Sequence, residues 1–584
     1  MASTFGGLET AKSGLVAART SIDVTGHNIA NANTVGYTRQ RVLTSAREPG
    51  QGTYLISQFY NKRVGQGVDI LEIQQLRSSY LDQQYRILNG DYMYSDKRVQ
   101  SLTYLEGLFN ELDEESGLTT SIENFYSALN VFSSDTSSLE YRTNVQQQAL
   151  GMIHNFNVVY DEMKDLWHNQ NDSISVAANR INAIAKELKY LNEAIASYER
   201  SGQPANDLRD ERNLLLDELS GLVNITYAVN SDNPSMIDVK IGGLSLVSGS
   251  TFNQIEINSL SSRIEEINGF AKDIADLNKK LLDDSLTDPE RTALQDEIQE
   301  KINQFKTAFD KYGITTAENP QNSMLTDVSF NGVLLVSGSN VCDTVDTLIQ
   351  FNRNYLTLYG NELSIEAKTV TGGQLYSHME MITGEEANSP GIPYYMKQLN
   401  LLAQDIARTI NEVHKTGWTY PYGGNESTDN INFFYVPSDG GMENYDLITA
   451  GNFALDGKIL ESAYNIAGSA KKVDLSSGST ETGNNEVARR LLNTINDGNF
   501  FGKLNSIVGH LAIEIDSSRS ILDTRESLIN SVDKQRMSIS GVDLDEEATN
   551  LIVFQQTYAA CARVVTAIDE MLSIMINNMG RVGL

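Results

Sequence analysis

The sequence predicts a mainly α-helical protein with β-rich outer domains, in which helices at the two ends of the chain pair as a coiled coil. Three observations predict this class. Both termini carry apolar residues at heptad spacing, residues 72–219 combine helical spacing with few glycines and prolines, and strict alternation begins after Val223. Because the chain has 584 residues, which is too many for one core, several domains are expected.

The N-terminal segment has the most regular pattern. Its apolar positions alternate spacings of three and four without a break: Leu8, Ala11, Leu15, Ala18, Ile22, Thr25, Ile29 and Ala32. This heptad repeat predicts one apolar stripe along a helix of roughly 37 Å. Asn28, Asn31 and Asn33 precede Gly36 and Tyr37, and Asn and Gly tolerate the left-handed backbone of a sharp turn. The cluster is either a helix stop alone or a binding element for neighbouring backbone.

The C-terminal segment carries the same repeat. Its positions are Leu544, Ala548, Leu551, Gln555, Tyr558, Ala562, Val565, Asp569, Leu572, Ile576 and Met579. Asp543 is the predicted N-cap, with Glu546 three residues later, and Ser540-Gly541 before it is a possible hinge. Residues 1–63 carry seven Lys/Arg against three Asp/Glu, whereas residues 541–584 carry two against six. Opposite charge favours pairing of the two ends.

The patterns divide the chain into three predicted domains. Residues 1–70 with 535–584 form a terminal assembly (coiled-coil) domain, and residues 71–222 with 391–534 form a helical rod domain. Residues 223–390 form a β-rich outer domain with an inserted helical hairpin at 260–311, where Thr287 and Glu290 predict a capping box.

A short internal echo flanks the hairpin. The five residues Leu-Val-Ser-Gly-Ser at 246–250 recur at 335–339. The echo indicates either two similar β-hairpins of one domain or a coincidence over five residues.

Composition and motifs argue against several classes of function. A net charge of −31 disfavours nucleic acid and anionic membrane as partners. Cys342 and Cys561 are far apart, the six histidines show no HExxH pattern, and the chain has no phosphate-binding loop or nucleophile elbow. We therefore predict no catalytic, metal or cofactor site. No run of apolar residues is long enough for a membrane span, and the N-terminus does not resemble a cleaved secretory signal.

Two segments resemble one known family. Residues 28–40, NIANANTVGYTRQ, resemble the N-terminal signature of the flagellar rod, hook and hook-associated axial proteins. Residues 540–547, SGVDLDEE, followed by NLI at 550–552 and FQQ at 554–556, resemble their C-terminal signature. The FQQ form and the internal motif NDLRDER at 206–212 are more similar to hook-associated members than to rod or hook members.

The resemblance implies a self-assembling structural protein of the bacterial flagellum that connects hook to filament. It implies as partners further copies of the chain in one tier, the hook protein, a second hook–filament junction protein, and an export chaperone at the C-terminal helix. It also implies an extracellular location reached without a cleaved signal peptide. The implied assembly residues are Leu8, Leu15, Ile22, Asn28, Asn31, Asn33, Gly36, Tyr37 and Arg39, together with Ser540, Gly541, Leu544, Glu546, Glu547, Leu551, Gln555, Gln556, Tyr558, Val565 and Leu572.

Three other functions are compatible with parts of this pattern. The first is another flagellar axial protein, namely hook, rod or second junction protein, which the FQQ and NDLRDER motifs disfavour. The second is an exported enzyme, which would need a metal or triad motif between residues 223 and 480, where none occurs. The third is a host-binding role for the Tyr- and Asn-rich outer domain, which could coexist with a junction role.

Overall fold

The computed structural model describes residues 6–47, 65, 67–109, 117–259, 264–283, 285–309, 314–319, 322–330, 333–341, 354–439, 442–474 and 483–578. The helices are α1 (Gly6–Ala30), α2 (Ser79–Phe109), α3 (Leu118–Ser134), α4 (Leu139–Glu199), α5 (Asn206–Leu222), α6 (Ile264–Leu281), α7 (Asp288–Ala308), α8 (Gly373–Thr383), α9 (Ile392–His414), α10 (Gly457–Glu461), α11 (Glu486–Asp497), α12 (Phe500–Ser540) and α13 (Leu544–Asn578). The predicted fold class is confirmed, since the described chain is mainly helical with several small sheets.

The strands are short and antiparallel. They are β1 (Gln40–Ala46), β2 (Val68–Gln75), β3 (Ile225–Val229), β4 (Ile237–Ile241), β5 (Leu244–Ser248), β6 (Thr251–Phe252), β7 (Ile255–Ser259), β8 (Ile314–Asn319), β9 (Asn322–Phe330), β10 (Val333–Ser337), β11 (Asn340–Val341), β12 (Asn354–Leu358), β13 (Asn361–Leu363), β14 (Glu385–Glu386), β15 (Ser389–Pro390), β16 (Ser438–Asp439) and β17 (Met442–Glu443). Two four-stranded meanders stand out, β3–β4–β5–β6 and β8–β9–β10–β11.

The helical domain is organised around α4, which is 61 residues long. Its buried residues recur every three or four positions from Val145 to Ile195, as an amphipathic helix requires. It packs against α3, α5, α8 and α9, while α2 and α12 lie along each other beside it. Helix α8 therefore packs among helices, although the sequence prediction places residues 373–383 in the outer domain.

Two helix boundaries differ from the sequence prediction. The helical spacing predicted over residues 72–219 is interrupted between α3 and α4, because Asp135 is extended and the Ser138 hydroxyl accepts a hydrogen bond from Tyr141 N (3.4 Å) to start α4. The predicted helix from residue 72 begins only at Ser79, because β2 continues to Gln75 and pairs with β1. Local polar caps and strand pairing override the helical spacing at both places.

Residues 260–353 are inserted between two strands that pair with each other. In the ladder of β7 and β12, Ser259 lies opposite Asn354. The inserted helices α6 and α7 pack on the meander of β8–β11 and form an apolar cluster separate from the main core. The predicted capping box is present, since Thr287 N donates to Glu290 Oε2 at 2.8 Å.

The described part of the chain gives no indication of a membrane segment. None of its helices is long and apolar enough to cross a lipid bilayer.

A buried arginine joins the start of α4 to the loop around residues 464–466. Arg142 is 2% exposed, and its guanidinium donates to the carbonyl oxygens of Thr136 (2.8 Å), Tyr464 (3.3 Å) and Ile466. Burial lowers the pKa of this guanidinium to about 10, so it stays charged at neutral pH. The cation is compensated by main-chain dipoles, which a planar fork can reach in several directions.

We predict that Arg142→Lys lowers the free energy of unfolding by about 2–4 kcal/mol, because one ammonium cannot reach three separated carbonyls. Urea unfolding followed by circular dichroism measures the change. Arg180→Lys is the control, since Arg180 pairs with Glu218 on the surface and should cost no more than about 1 kcal/mol. Equal losses in the two variants would contradict the role assigned to Arg142.

Candidate assembly interface

The two terminal helices pack antiparallel along most of their lengths. Gly7 of α1 faces Ile568, and Gly14 faces Cys561; a Cβ atom on Gly14 would lie 3.0 Å from the Cys561 sulfur. Glycine therefore permits the close approach of the two helices at this crossing. The predicted pairing of the chain ends is present in a single subunit.

The side chains of α1 that are buried, against α13 and the strands β1 and β2, are mainly small. They are Ala11, Ala17, Ala18, Ser21, Val24, Thr25 and Asn28. The larger predicted residues Leu8, Leu15 and Ile22 are only half-buried. The buried face of α1 is thus rotated slightly from the predicted apolar stripe.

Helix α13 is less covered than α1. Leu551, Val565 and Leu572 are half-buried against α1, whereas Leu544, Gln555, Gln556 and Tyr558 are exposed. Met579 of the predicted stripe lies outside the described residues. The predicted C-terminal positions therefore divide between a face turned to α1 and a face turned away from it.

Asn28 is the centre of the polar end of this interface. It is 1% exposed, and its amide nitrogen donates to Gln40 O (2.9 Å) and Glu547 Oε2 (3.1 Å). Its oxygen accepts from Gln40 N (3.0 Å) and the Tyr37 hydroxyl (2.7 Å). All four hydrogen-bonding positions of the amide are used, so no other residue type fits this site without an unpaired buried group.

Arg39 completes the connection between the two ends of the chain. Its Nε donates to Glu547 Oε1 at 2.7 Å, and its terminal nitrogens contact Glu546 at 2.8 and 3.0 Å. Its main-chain N–H donates to Ser540 O (2.9 Å). The Glu547 side chain is 3% exposed, so its charge depends on Arg39 and Asn28 for compensation.

Asp543 is the N-cap of α13, as predicted. Its carboxylate accepts from Asp545 N (2.9 Å) and Glu546 N (3.1 Å). Glu546 does not close a capping box, because its side chain binds Arg39 instead, which holds the pKa of Glu546 below its usual value. Gly541 is required just before the cap, since a Cβ there would lie 2.5 Å from Met537 O.

The remaining predicted N-terminal residues shape the turn. Asn31 donates to His27 O (3.0 Å) and accepts from the Thr34 hydroxyl (3.1 Å), while Asn33 is exposed. Gly36 has φ +81°, the left-handed conformation that glycine adopts readily. Burial, with the nearby carboxylates, raises the pKa of Tyr37 above its usual value, so the phenol keeps the proton that it donates to Asn28.

Helix α5 holds this turn from the other side. Asp210 accepts from Thr38 N (2.9 Å) and from the Gln75 amide (2.8 Å), and Asp207 accepts from the Gln40 amide (3.0 Å). Asn206 donates to Ile73 O (2.7 Å). These contacts join the first helical turn of α5 to the ends of β1 and β2.

The predicted assembly residues do not include Asn206, Asp207 and Asp210, although all three lie in the motif at 206–212. Their signal is spacing: positions 206, 207 and 210 lie on one face at the start of a helix. Polar residues on that face, beside apolar Leu208 and Leu215, indicate a docking face rather than a solvated one.

The described residues give no support for a catalytic or metal site. Among them, no group of three or more His, Cys, Asp or Glu could hold a metal ion. His414 is buried, with Nδ1 2.7 Å from Ile431 O and Nε2 accepting from Ala467 N at 2.8 Å. Burial lowers its pKa to about 4, so it is a neutral structural residue.

Three family models match the chain. The model described as "Flagellar hook-associated protein FlgK helical domain" matches residues 102–261 and 257–434, which together are more than half of the chain. The model "Flagella basal body rod protein" matches residues 8–38, and "Flagellar basal body rod FlgEFG protein C-terminal" matches residues 534–579. The two terminal matches cover the interface described above.

Similar proteins match over nearly their whole lengths. Flagellar hook-associated protein 1 of Bacillus subtilis is 27% identical, with 99% of each chain covered. The protein of the same name from Salmonella typhimurium is 23% identical, with 97% of this chain and 98% of that protein covered. A solved structure of the flagellar hook junction protein FlgK from Burkholderia pseudomallei is 13% identical with a TM-score of 0.46, covering 78% of this chain and 100% of that one.

We predict that Glu547→Gln loosens the joint between the chain ends, because Arg39 loses its buried counter-charge and Asn28 loses a charged acceptor. Hydrogen exchange of the isolated subunit should rise about tenfold or more at residues 28–40 and 541–555. Glu546→Gln is the control at the adjacent exposed position and should change exchange far less. Similar effects of both substitutions would contradict the central role of Glu547.

We also predict a pH effect from Asp210, whose pKa burial raises to about 6, against hydrogen bonds from Thr38 that lower it. Because the folded-state pKa exceeds the unfolded value, the contribution of Asp210 to stability is full below pH 4 and lost as pH rises through 6. The unfolding free energy of wild type relative to Asp210→Asn should fall by about 2 kcal/mol between about pH 4.5 and 7. A pH-independent difference would contradict the raised pKa.

Proposed function

We propose that this chain, which belongs to the flagellar hook-associated protein FlgK family, is the hook–filament junction protein of its flagellum. It is a structural component of the bacterial flagellum and therefore acts in motility. The relatives that match almost end to end are named flagellar hook-associated protein 1. We propose the junction role for this chain on the basis of that name.

One observation carries the proposal, namely an apolar face of α13 that no part of the described subunit covers. Val553, Val564, Met571 and Ile574 are 51%, 47%, 54% and 59% exposed. Their successive spacings of eleven, seven and three residues place them along one side of the helix, turned away from α1. A stripe of this length on a long helix is typical of a protein–protein contact.

We propose that further copies of the same chain cover this face in a closed or helical tier. α13 has 35 residues, so it extends roughly 50 Å and offers a contact long enough for several neighbours. The half-buried Leu8, Leu15 and Ile22 of α1 border the same helix pair and would be covered with it. Helical packing of identical subunits buries such stripes without any change of the subunit fold.

The other proposed partners follow from the position of a junction. The hook protein lies on one side of the tier and a second hook–filament junction protein on the other. Before assembly, an export chaperone covers the apolar face of α13. These partners are inferred from the resemblance and from the relatives' names. The exposed apolar face of α13 supports a need for a protein partner both before and after assembly.

We propose a mechanical, non-enzymatic function in an extracellular location, reached by export without a cleaved signal peptide. The proposed division of labour assigns residues 1–70 with 535–584 to assembly, residues 71–222 with 391–534 to a helical rod domain and residues 223–390 to an outer domain. Its support is the contact of α1 with α13 and the packing of α2 with α12.

A complementation experiment tests the junction role. A strain of the same species without this gene should secrete unpolymerised filament protein and carry hooks without filaments in electron micrographs. The gene in trans should restore filaments. Normal filaments in the deletion strain would overturn the proposal, and loss of the hooks themselves would favour an earlier axial position.

We predict that Val564→Asp abolishes filament formation, because it places a charge in an interface that must be desolvated. The substitution should leave the subunit folded, since Val564 is exposed in it. Thr566→Asp, at an exposed position outside the apolar stripe, is the control and should leave filaments intact. Normal filaments with Val564→Asp would contradict the assignment of this face.

A further inference from the structure

Two parts of the chain have the same architecture. Residues 178–252 comprise the end of α4, helix α5 and the meander β3–β6. Residues 264–341 comprise α6, α7 and the meander β8–β11 in the same order. We call them the first unit and the second unit. In both units the first helix packs on the four-stranded sheet and the second helix packs on the first.

The same asparagine joins helix to sheet in both units. In the first, Asn192 Nδ2 donates to Ile237 O and Gly249 O, both at 2.8 Å, and its oxygen accepts from Ile237 N (3.2 Å). In the second, Asn278 Nδ2 donates to Thr326 O (2.8 Å) and Gly338 O (2.7 Å), and its oxygen accepts from Thr326 N (3.3 Å). Both asparagines are fully buried.

A second polar group is repeated within the sheets. Asp238 accepts from the Asn230 amide (2.9 Å) and Gly249 N (2.8 Å). Its counterpart Asp327 accepts from the Asn319 amide (2.8 Å) and Gly338 N (2.7 Å).

The turn glycines are equivalent as well. Gly249 and Gly338 have φ +54° and +56°, the left-handed region. A Cβ atom on either glycine would meet the asparagine that binds the aspartate, at 3.4 Å from Asn230 and 3.3 Å from Asn319. The LVSGS echo contains these glycines, so it is part of a larger equivalence and not a coincidence of five residues.

The equivalence extends through the apolar cores at a constant spacing. Counterparts are 86 residues apart in the helices (192 to 278) and 89 apart in the sheets (238 to 327). The buried pairs are Ile181 and Ile267, Ala185 and Ala271, Leu188 and Ile274, Leu191 and Leu277, Leu216 and Ile302, Leu219 and Phe305, Val239 and Val328, Leu246 and Leu335, and Val247 and Val336. The difference of three residues arises in the connection from the helices to the sheets.

We infer that the second unit is a duplicate of the first, inserted into the β7–β12 hairpin, and that it stands apart from the assembly interface. Two unrelated helix-on-sheet units would have no reason to repeat a buried Asn, a sheet Asp with the same two hydrogen bonds and a left-handed Gly at one register. Paired ends at Ser259 and Asn354 allow such an insertion without disturbing the surrounding ladder.

The second unit keeps the residues that hold the unit together but not those with which the first unit binds the chain terminus. Asn206 and Asp207, which bind the segment 38–75, correspond to Thr292 and Ala293. The Thr292 hydroxyl donates to Asp288 O within its own helix (3.0 Å). The duplicated helix therefore lacks two of the three docking groups of the original.

A contact to α2 is also absent from the duplicate. Asp217 of the first unit accepts from Arg86 (2.7 Å), and Leu214 lies beside Gly36. Their counterparts are Asn303 and Glu300, which are both exposed. Asn303 accepts from Gln299 in the same helix (3.2 Å). A face that was a docking surface in the first unit is a solvated polar face in the second.

Matched substitutions of the two asparagines in the full-length chain test the independence of the second unit. Asn278→Ala should raise hydrogen exchange about tenfold or more in peptides from 264–341 and leave residues 178–252 and 79–134 unchanged. Asn192→Ala should do the reverse, accelerating exchange in 178–252. Loss of protection in both units with either variant, or no change at 264–341 with Asn278→Ala, would overturn the inference.

Two deletions test the boundaries. Replacing 260–353 by Asn-Gly joins β7 to β12 through a two-residue hairpin turn and removes the whole duplicate. This variant should remain soluble, with unchanged thermal unfolding of the helical domain. Deleting only 260–311 should instead cause aggregation, because Leu325, Val328, Leu335 and Val336 lose their helical cover. A soluble 260–311 deletion, or an unfolded 260–353 deletion, would contradict the unit boundaries.

A filament assay tests whether the duplicate stands apart from the joint, a step that rests on the proposed function. The 260–353 deletion should restore filaments in the strain lacking the gene. A folded and exported deletion protein that leaves hooks bare would overturn this part of the inference. If the wild-type gene itself fails to restore filaments, the proposed function is wrong, while the exchange experiment still decides the duplication.

Discussion

A buried carboxylate shared between the two ends of the chain is the interaction on which the rest of the arrangement depends. Glu547 is removed from water and binds Arg39 and Asn28, which belong to the opposite end of the sequence. A buried charge without partners is costly, so Glu547 can be buried only where the N-terminal turn is already formed. The same N-terminal turn is bound by Asp207 and Asp210 of α5. One polar cluster therefore fixes both terminal helices relative to the helical domain.

The terminal helices are joined firmly at one end and incompletely covered over the rest of their length. Near Asn28 the contact is polar and fully hydrogen-bonded, whereas farther along α13 the contact is made by small residues of α1 and one side of the helix stays exposed. This difference along the helix pair suits a subunit whose terminal helices must be fixed in one orientation before assembly and must still offer apolar surface to neighbouring subunits. The polar cluster supplies the direction, because its hydrogen bonds exist in only one register.

The outer region illustrates how such a scaffold can grow. Each unit, a helix pair with a four-stranded meander, is held together by its own hydrogen bonds from a buried asparagine to the sheet. It can therefore be repeated without contacts to the rest of the chain. Insertion between two paired strands keeps the ends of the inserted segment close together, so the pairing of β7 with β12 remains intact. Exposed charged and amide side chains on α7 stand where α5 has its docking groups. The face of the second unit that carries them is therefore in contact with solvent.

Periodicity and local chemistry in the sequence determined most of the helical architecture. The heptad spacing at both ends, the capping residues Asp543 and Thr287, and the change to alternation after Val223 are local signals, since they depend on neighbours three or four residues away. They do not specify which face of an amphipathic helix meets which partner. That is why the stripe predicted through Leu8, Leu15 and Ile22 differs from the buried face, which also includes Ala17, Ser21 and Asn28.

Only the tertiary structure decided the contacts between residues far apart in the chain. The burial of Glu547 against Asn28, the docking role of Asp207 and Asp210, and the cover of the second sheet by α6 and α7 all join separated segments. The five-residue echo at 246–250 and 335–339 was ambiguous as a string of letters. The equivalent hydrogen bonds of Asn192 and Asn278 identify it as part of a duplication. These contacts persist because buried polar groups must be hydrogen-bonded, whereas most surrounding side chains are free to change.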